Sequence, residues 1–134
     1  WENGPNGGFS QANQTWLPVE QNHLDRTPAA QASDPSSVYN AYNNFMQFRK
    51  NHEALVKGSI ELISSQDNIL VFTRSVAGQK VLCVFNFNAT EQIWTLPPQL
   101  AGATPMSGHG FGGALSGSTL QLSAQDAFFA SVKV

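Results

Sequence analysis

Nine carboxylates, three histidines and one thiol are the groups of this 134-residue sequence able to carry acid–base, metal or nucleophilic chemistry. Their spacing gathers none of them into a catalytic pattern. Acid–base work by paired carboxylates needs two acids facing each other across the bond to be broken. Asp34 stands where a helix should begin, Asp67 and Asp126 stand in turns, and Glu61 and Glu91 fall on alternating strands. No facing pair can be named. His23, His52 and His109 lack metal-ligand spacing and have no Cys or His close by, so they read as solvated or structurally bonded imidazoles. Cys83 sits in the most apolar stretch with no cationic neighbour in sequence, the setting of a buried, inert thiol. Ser107-Gly108-His109-Gly110-Phe111-Gly112-Gly113 is glycine-rich enough to suggest a phosphate cradle. It lacks the Lys-Ser/Thr ending and no helical pattern follows it, so a mobile loop is expected. Asn13-Gln14-Thr15 and Asn88-Ala89-Thr90 fit the glycosylation sequon and read as chance matches.

Aromatic faces are the remaining chemical resource. Trp1, Phe9, Trp16 and Trp94 are able to stack on the C–H faces of sugar rings. Trp16 and Trp94 read as packing anchors. Trp1 and Phe9 lie in a loop with no evident home in the sequence around them.

The elements that must position these groups are mainly strands. Lys80–Phe87 is apolar almost without a break and too short for an ordinary helix, so it reads as a strand covered on both faces. Val81, Cys83, Phe85 and Phe87 point one way, and Leu82 and Val84 the other. Asn68–Val76 precedes it across Ala77-Gly78, and the two should form a central antiparallel hairpin. Further strands are expected over 59–64, 91–96, 119–123 and 127–134, with Pro97-Pro98 stopping the second of these and a glycine-rich loop over 101–117. In 127–134, Phe128, Ala130 and Val132 share a face. The one long helix is expected over 34–52, with Asp34 as N-cap, Pro35 in the first turn, and an apolar stripe of Val38, Tyr42, Phe45, Met46 and Arg49. Residues 1–32 read as loop, with Trp16-Leu17-Pro18-Val19 a short apolar anchor. Strands with turn signals between them predict an antiparallel sandwich.

Composition excludes several classes. A net charge of −2 without a basic patch gives no footprint for nucleic acid. No apolar run approaches the roughly 20 residues that cross a bilayer as a helix. A single cysteine cannot form an internal disulfide. The sequence opens at Trp1 inside a Gly/Asn/Pro-rich loop, with no basic-then-apolar leader. A processed, excised or truncated chain is the expectation, with a cytoplasmic location favoured.

Five motifs in order carry a family resemblance. Trp1-Glu2 resembles the end of an Arg-Thr-Pro-Met-Gln-Trp-Asp loop, with Glu in place of Asp. Gly8-Phe9-Ser10 and Trp16-Leu17-Pro18-Val19 follow. Asp34-Pro35-Ser36-Ser37-Val38 leads into a helix ending in Arg49-Lys50, and Val84-Phe85-Asn86-Phe87 resembles a late strand motif. Together they resemble the C-terminal end of α-glucosidases of glycoside hydrolase family 13, the oligo-1,6-glucosidase and maltase group. The resemblance implies a mainly β fold: an antiparallel Greek-key β-sandwich over 58–134, preceded by the last loop and helix of a TIM barrel over 1–57. It implies a retaining α-glucosidase whose catalytic acids lie before Trp1, so that this chain holds no catalytic residue and is structural by itself. Trp1, Glu2 and Phe9 would line the substrate entrance. The partners implied are the remainder of the barrel and, through it, an oligosaccharide. No cofactor is implied, and no ligand cluster for the calcium common in the family is visible. A carbohydrate-binding β-sandwich module is the alternative. A purely structural domain is a third reading, which an uncovered Val38–Met46 helix face would favour.

Overall fold

Turn formers dominate positions 1–33, and the chain answers with short helical turns. The computed structural model describes residues 1–133. A 3-10 turn spans Pro5–Gly8, α1 spans Gln21–Leu24 and α2 spans Pro28–Ala32. The reading of residues 1–32 as mostly loop missed these helices, because helices of four or five residues are too short to display a 3.6-residue period. Thr27, fully buried, caps α2: its Oγ1 accepts from Ala30 N–H at 3.2 Å and donates to Asn3 Oδ1 at 2.6 Å.

The long helix, α3, spans Val38–Lys50. Asp34 is not its N-cap. Its Oδ1 accepts from the Ser36 hydroxyl at 2.7 Å and the Ser36 N–H at 2.9 Å. Those two bonds, the hydroxyl first, hold the Asp34 carboxyl below its ordinary range. Ser37 caps the helix instead, its Oγ accepting from Asn40 N–H at 3.2 Å and donating to the Gln31 carbonyl at 2.7 Å. The expected apolar stripe is also corrected. Val38 and Tyr42 are exposed, Phe45 and Met46 are half-buried, and the buried residue is Phe48. Arg49 and Lys50 do lie in the last turn, where they complement the macrodipole.

The chain divides into two compact units, Trp1–Asn44 and Phe45–Val134. In the second, the end of α3 is followed by α4 (Glu53–Lys57) and then by β1 (Ser59–Ser64), β2 (Ile69–Val76), β3 (Gln79–Asn86), β4 (Gln92–Thr95), β5 (Thr104–Pro105), β6 (Ala114–Ser116), β7 (Thr119–Leu122) and β8 (Ala127–Val132). All pairings are antiparallel. One sheet has the order β1-β2-β3-β8-β5 and the other β4-β7-β6. The expected hairpin is present, with Val76 opposite Gln79 across Ala77-Gly78.

Strand β3 is covered on both faces, as its composition requires. Leu82 and Val84 join Ile69, Val71, Phe128, Ala130, Leu120 and Leu122 in the core between the sheets. Val81 and Cys83 join Phe129 on the opposite face, under Phe48 of α3 and Ala54 and Leu55 of α4. Trp94 packs against the inter-sheet core, as an anchor should. Burial pushes the Cys83 thiol up to about 12, and it is inert.

Three details fix α4 on the sheet. Gln79 Oε1 accepts from Ala54 N–H at 2.6 Å. Arg74 donates from Nε and Nη2 to the Gly58 carbonyl at 3.0 and 2.7 Å. A Cβ at Gly58 would lie 2.4 Å from the Ala54 carbonyl oxygen, so only glycine permits this approach. Asn86 closes the far end of β3. Fully enclosed, it donates to the Thr90 and Ser123 carbonyls at 2.9 and 2.7 Å, and its Oδ1 accepts from Asn88 N–H at 2.9 Å. The Asn88 amide, the acceptor of one sequon, donates to the Asp67 carbonyl.

Candidate functional site

The opening loop is shaped by backbone that few residues adopt. Asn6, Gly7 and Gly8 have φ of 53°, 64° and 82°, the left-handed region that asparagine and glycine tolerate. This curls the chain back on its first two residues, and Glu2 N–H donates to the Gly7 carbonyl at 2.9 Å. A Cβ at Gly7 would sit 3.1 Å from the Trp1 ring, and one at Gly8 would sit 3.0 Å from Glu2 Cβ. The glycines of the Gly-Gly-Phe sequence are therefore the surface on which Trp1 and Glu2 rest. Asn6 locks the curl by donating to the Ser10 and Ala12 carbonyls at 3.0 and 2.7 Å.

The three residues expected at an entrance are thus brought together by one turn. Phe9 meets Trp1 edge to face at 4.8 Å between centroids, and His23 meets it similarly at 5.3 Å. Trp1 is 48% exposed and Phe9 64% exposed. A groove of about 280 Å³ is lined by Trp1, His23 and Arg26. Glu2 does not line it; its stem packs on Gly8 instead. His23 and Arg26 were not legible as site residues, because α1 and the turn after it that present them have no periodicity.

The groove offers an indole, an imidazole and a guanidinium. That set can stack on the apolar face of a polyhydroxylated ring and exchange hydrogen bonds with its hydroxyls. The residues lining it supply no pair of facing acids. Among the described residues no group of three or more His, Cys, Asp or Glu is placed to hold a metal ion. No helix among them is long and apolar enough to cross a membrane.

The other candidates resolve into structure. His109 is buried, its Nε2–H donating to the Met106 carbonyl at 2.9 Å and its Nδ1 accepting from Phe111 N–H at 3.1 Å. It packs among Phe48, Phe111 and Phe129 and anchors the glycine-rich loop that was expected to be mobile. His52 Nδ1–H donates to the Phe48 carbonyl at 2.7 Å at the end of α3. Trp16 is 98% exposed, which corrects its reading as a packing anchor, and Leu17 beside it is exposed too.

Two family models match the chain in succession: "Alpha amylase, catalytic domain" over residues 1–58 and "Maltogenic Amylase, C-terminal domain" over residues 60–110. A probable alpha-glucosidase of Rhizobium meliloti (strain 1021) is 41% identical over 130 residues, covering 97% of this chain and 23% of that protein. An oligo-1,6-glucosidase of Parageobacillus thermoglucosidasius is 30% identical over 101 residues, covering 75% of this chain and 18% of that protein. The solved structure of an alpha-glucosyl transfer enzyme superposes with a TM-score of 0.87 at 30% identity, covering 99% of this chain and 24% of that one. The chain therefore spans less than a quarter of the length of the relatives it matches.

Proposed function

Because the chain belongs to the α-amylase family, glycoside hydrolase family 13, and corresponds to the C-terminal segment of α-glucosidase-like members, we propose that it completes a retaining α-glucosidase acting on oligosaccharides. In this reading residues 1–57 finish the barrel and residues 58–134 form the sandwich that braces it. In retaining hydrolysis one carboxylate attacks the anomeric carbon while a carboxylic acid protonates the departing oxygen, and water then releases the sugar. Those two acids belong to the polypeptide before Trp1. This chain contributes no step of bond breaking.

Its contribution to substrate is the loop at Trp1. The observation that carries this role is the preorganised aromatic wall: Trp1 seated on Gly7, propped by Phe9, and flanked by His23 and Arg26. A wall held rigid before the sugar arrives loses little side-chain entropy on binding. Glu2 holds the turn through its N–H on the Gly7 carbonyl, and its side chain packs on Gly8.

The test is an assay on p-nitrophenyl α-glucoside and isomaltose, with the full-length gene product and this chain side by side. The full-length protein turns substrate over and this chain does not. Trp1→Ala in the full-length protein lowers kcat/KM by about tenfold, the loss of one aromatic contact, mostly through KM. Turnover by this chain alone would overthrow the reading, and an unchanged KM in Trp1→Ala would remove the loop from the substrate path.

A further inference from the structure

We propose that His109 is the latch of an acid-released strap: its neutral ring holds residues 107–111 down on Phe48 and Phe129, and a proton on Nδ1 sets that segment free. The inference stands apart from the enzyme reading above and concerns a conformational device within the second unit.

The sequence isolates this imidazole. Between Glu91 and Asp126 it is the only ionisable side chain. Gly108 and Gly110 flank it with φ of 85° and 84°, in the left-handed region, and a Cβ added at either would meet nothing within 4 Å. Those two glycines therefore supply backbone conformation and not space. They turn His109 inward from a segment in which Ser107, Gly108, Gly110 and Phe111 are exposed.

The segment is pinned at both ends. Met106 N–H donates to the Phe129 carbonyl at 2.9 Å, Gly112 N–H to Asp126 Oδ1 at 3.0 Å and Gly113 N–H to the Ala127 carbonyl at 3.3 Å. Between the pins its hydrogen bonds run through the ring. A carbonyl can only accept, so Nε2 carries a hydrogen toward Met106. A backbone N–H can only donate, so the Nδ1 that faces Phe111 is bare. Both bonds exist together in one tautomer of the neutral ring and in no cationic form.

A proton on Nδ1 makes that nitrogen a second donor facing the Phe111 N–H, and the bond at 3.1 Å is lost. The new charge finds no partner. Among the described residues the ion pairs are Lys57–Glu53 and Lys80–Glu61, so no carboxylate reaches the ring. Of the elements packed against it, α3 carries Arg49, Lys50 and His52 close to Phe48, and β8 has Asp126 before its start and Lys133 after its end. Asp126 is committed through Oδ1 to the Gly112 and Ala127 N–H groups. The rings of Phe48, Phe111 and Phe129 lie 5.4, 6.0 and 5.2 Å from the imidazole centroid. Their faces attract a cation weakly and offer Nδ1 no hydrogen-bond acceptor. A charged ring regains hydration only by leaving this enclosure, and the segment leaves with it.

Site-resolved amide hydrogen exchange of the full-length gene product tests this at about pH 7.5 and about pH 5, either side of the range in which an imidazole ordinarily takes its proton. Corrected for intrinsic exchange, the Phe111 amide should be about tenfold less protected at the lower pH, while Met106 and Gly113 hold within about twofold. His109→Asn puts a carbonyl oxygen that does not titrate in place of Nδ1, and Phe111 should then be equally protected at both pH values. His52→Asn, at the other imidazole that touches Phe48, should leave the response as it is. Equal protection of Phe111 at both pH values in the parent overturns the proposal. Loss spread evenly over Phe111, Met106 and Gly113 is general acid unfolding and overturns it, and so does a response that survives His109→Asn. Where His109→Asn fails to fold, the ring nitrogen resonances of the parent decide. Nδ1 should gain its proton over the pH range in which Phe111 loses protection, and a proton gained with Phe111 still protected overturns the latch.

Discussion

The two units of this chain solve the problem of burial in opposite ways. Trp1–Asn44 buries small and polar residues: Gly7, Thr27 and Ser37 are enclosed, while Trp16, Leu17, Val38 and Tyr42 face outward. Its order comes from side chains that grip backbone carbonyls, such as Asn6 on Ser10 and Ala12 and Asn40 on Gln31 and Asp34. Phe45–Val134 buries two apolar clusters on the two faces of one sheet. Hydrogen bonds define a shape but return only about 1 kcal/mol each over their hydrated alternatives, whereas each large buried apolar side chain returns about 1.5–3 kcal/mol. The second unit holds the stability of this chain. The first holds its geometry through hydrogen bonds.

That contrast is most sharply tested by truncation. Phe129→Ala removes the ring where Phe45, Phe48, Phe85 and His109 converge and should cost about 4 kcal/mol in urea unfolding of this chain. Trp16→Ala, at a residue 98% exposed, should cost less than about 0.5 kcal/mol in the same measurement. A comparable loss at Trp16 would break the comparison.

Alkaline pH offers a second probe of the larger core. The Cys83 thiol, ordinarily at 9.0, is raised to about 12 by burial. Below 9.0 it is protonated folded or unfolded and contributes no slope. Between 9.0 and about 12 the unfolded chain has lost the proton and the folded chain keeps it, so stability falls as pH rises. The slope approaches about 1.4 kcal/mol per pH unit. Cys83→Ala should abolish this slope in denaturation at graded pH, and an unchanged slope would assign it elsewhere. A smaller effect is expected at Asn86. Asn86→Ala strands the Thr90 and Ser123 carbonyls and the Asn88 N–H and should cost about 2 kcal/mol by thermal unfolding.

Legibility in the sequence follows the same division. The two-sided reading of Val81 to Val84 holds residue by residue, because a period of two leaves no freedom about which side chains share a face. The sandwich and its hairpin were legible for that reason. The stripe of α3 was not, since periodicity says which residues are apolar and not which half of the helix finds a cover, and Phe48 took the place assigned to Val38 and Tyr42. The cap shifted from Asp34 to Ser37 because both are good caps three residues apart, and Ser36 claimed the aspartate. In the loop, Trp1, Glu2 and Phe9 are drawn together by the glycine turn. His23 and Arg26 were missed, because what presents them is a four-residue helix and the turn after it, too short to show a period.

The smallest expected effect belongs to that fold-back, and it bears on the comparison from the side of the weaker unit. Gly7→Ala would carry a Cβ at φ of 64° and place it 3.1 Å from the Trp1 ring. The backbone term is about 1 kcal/mol, and it falls on a unit with no large apolar residue buried among its described residues. The turn should relax by tilting the indole away from Phe9 and His23. Near-ultraviolet circular dichroism of the tryptophans should weaken, while the urea midpoint of the sheet signal stays within about 0.2 M of the parent. Asn6→Gly, which keeps the left-handed backbone but removes the grip on Ser10 and Ala12, should loosen the same signal less. If Gly7→Ala leaves the tryptophan signal intact, the Trp1 wall is not held by the glycine turn. Its preorganisation would then need another cause.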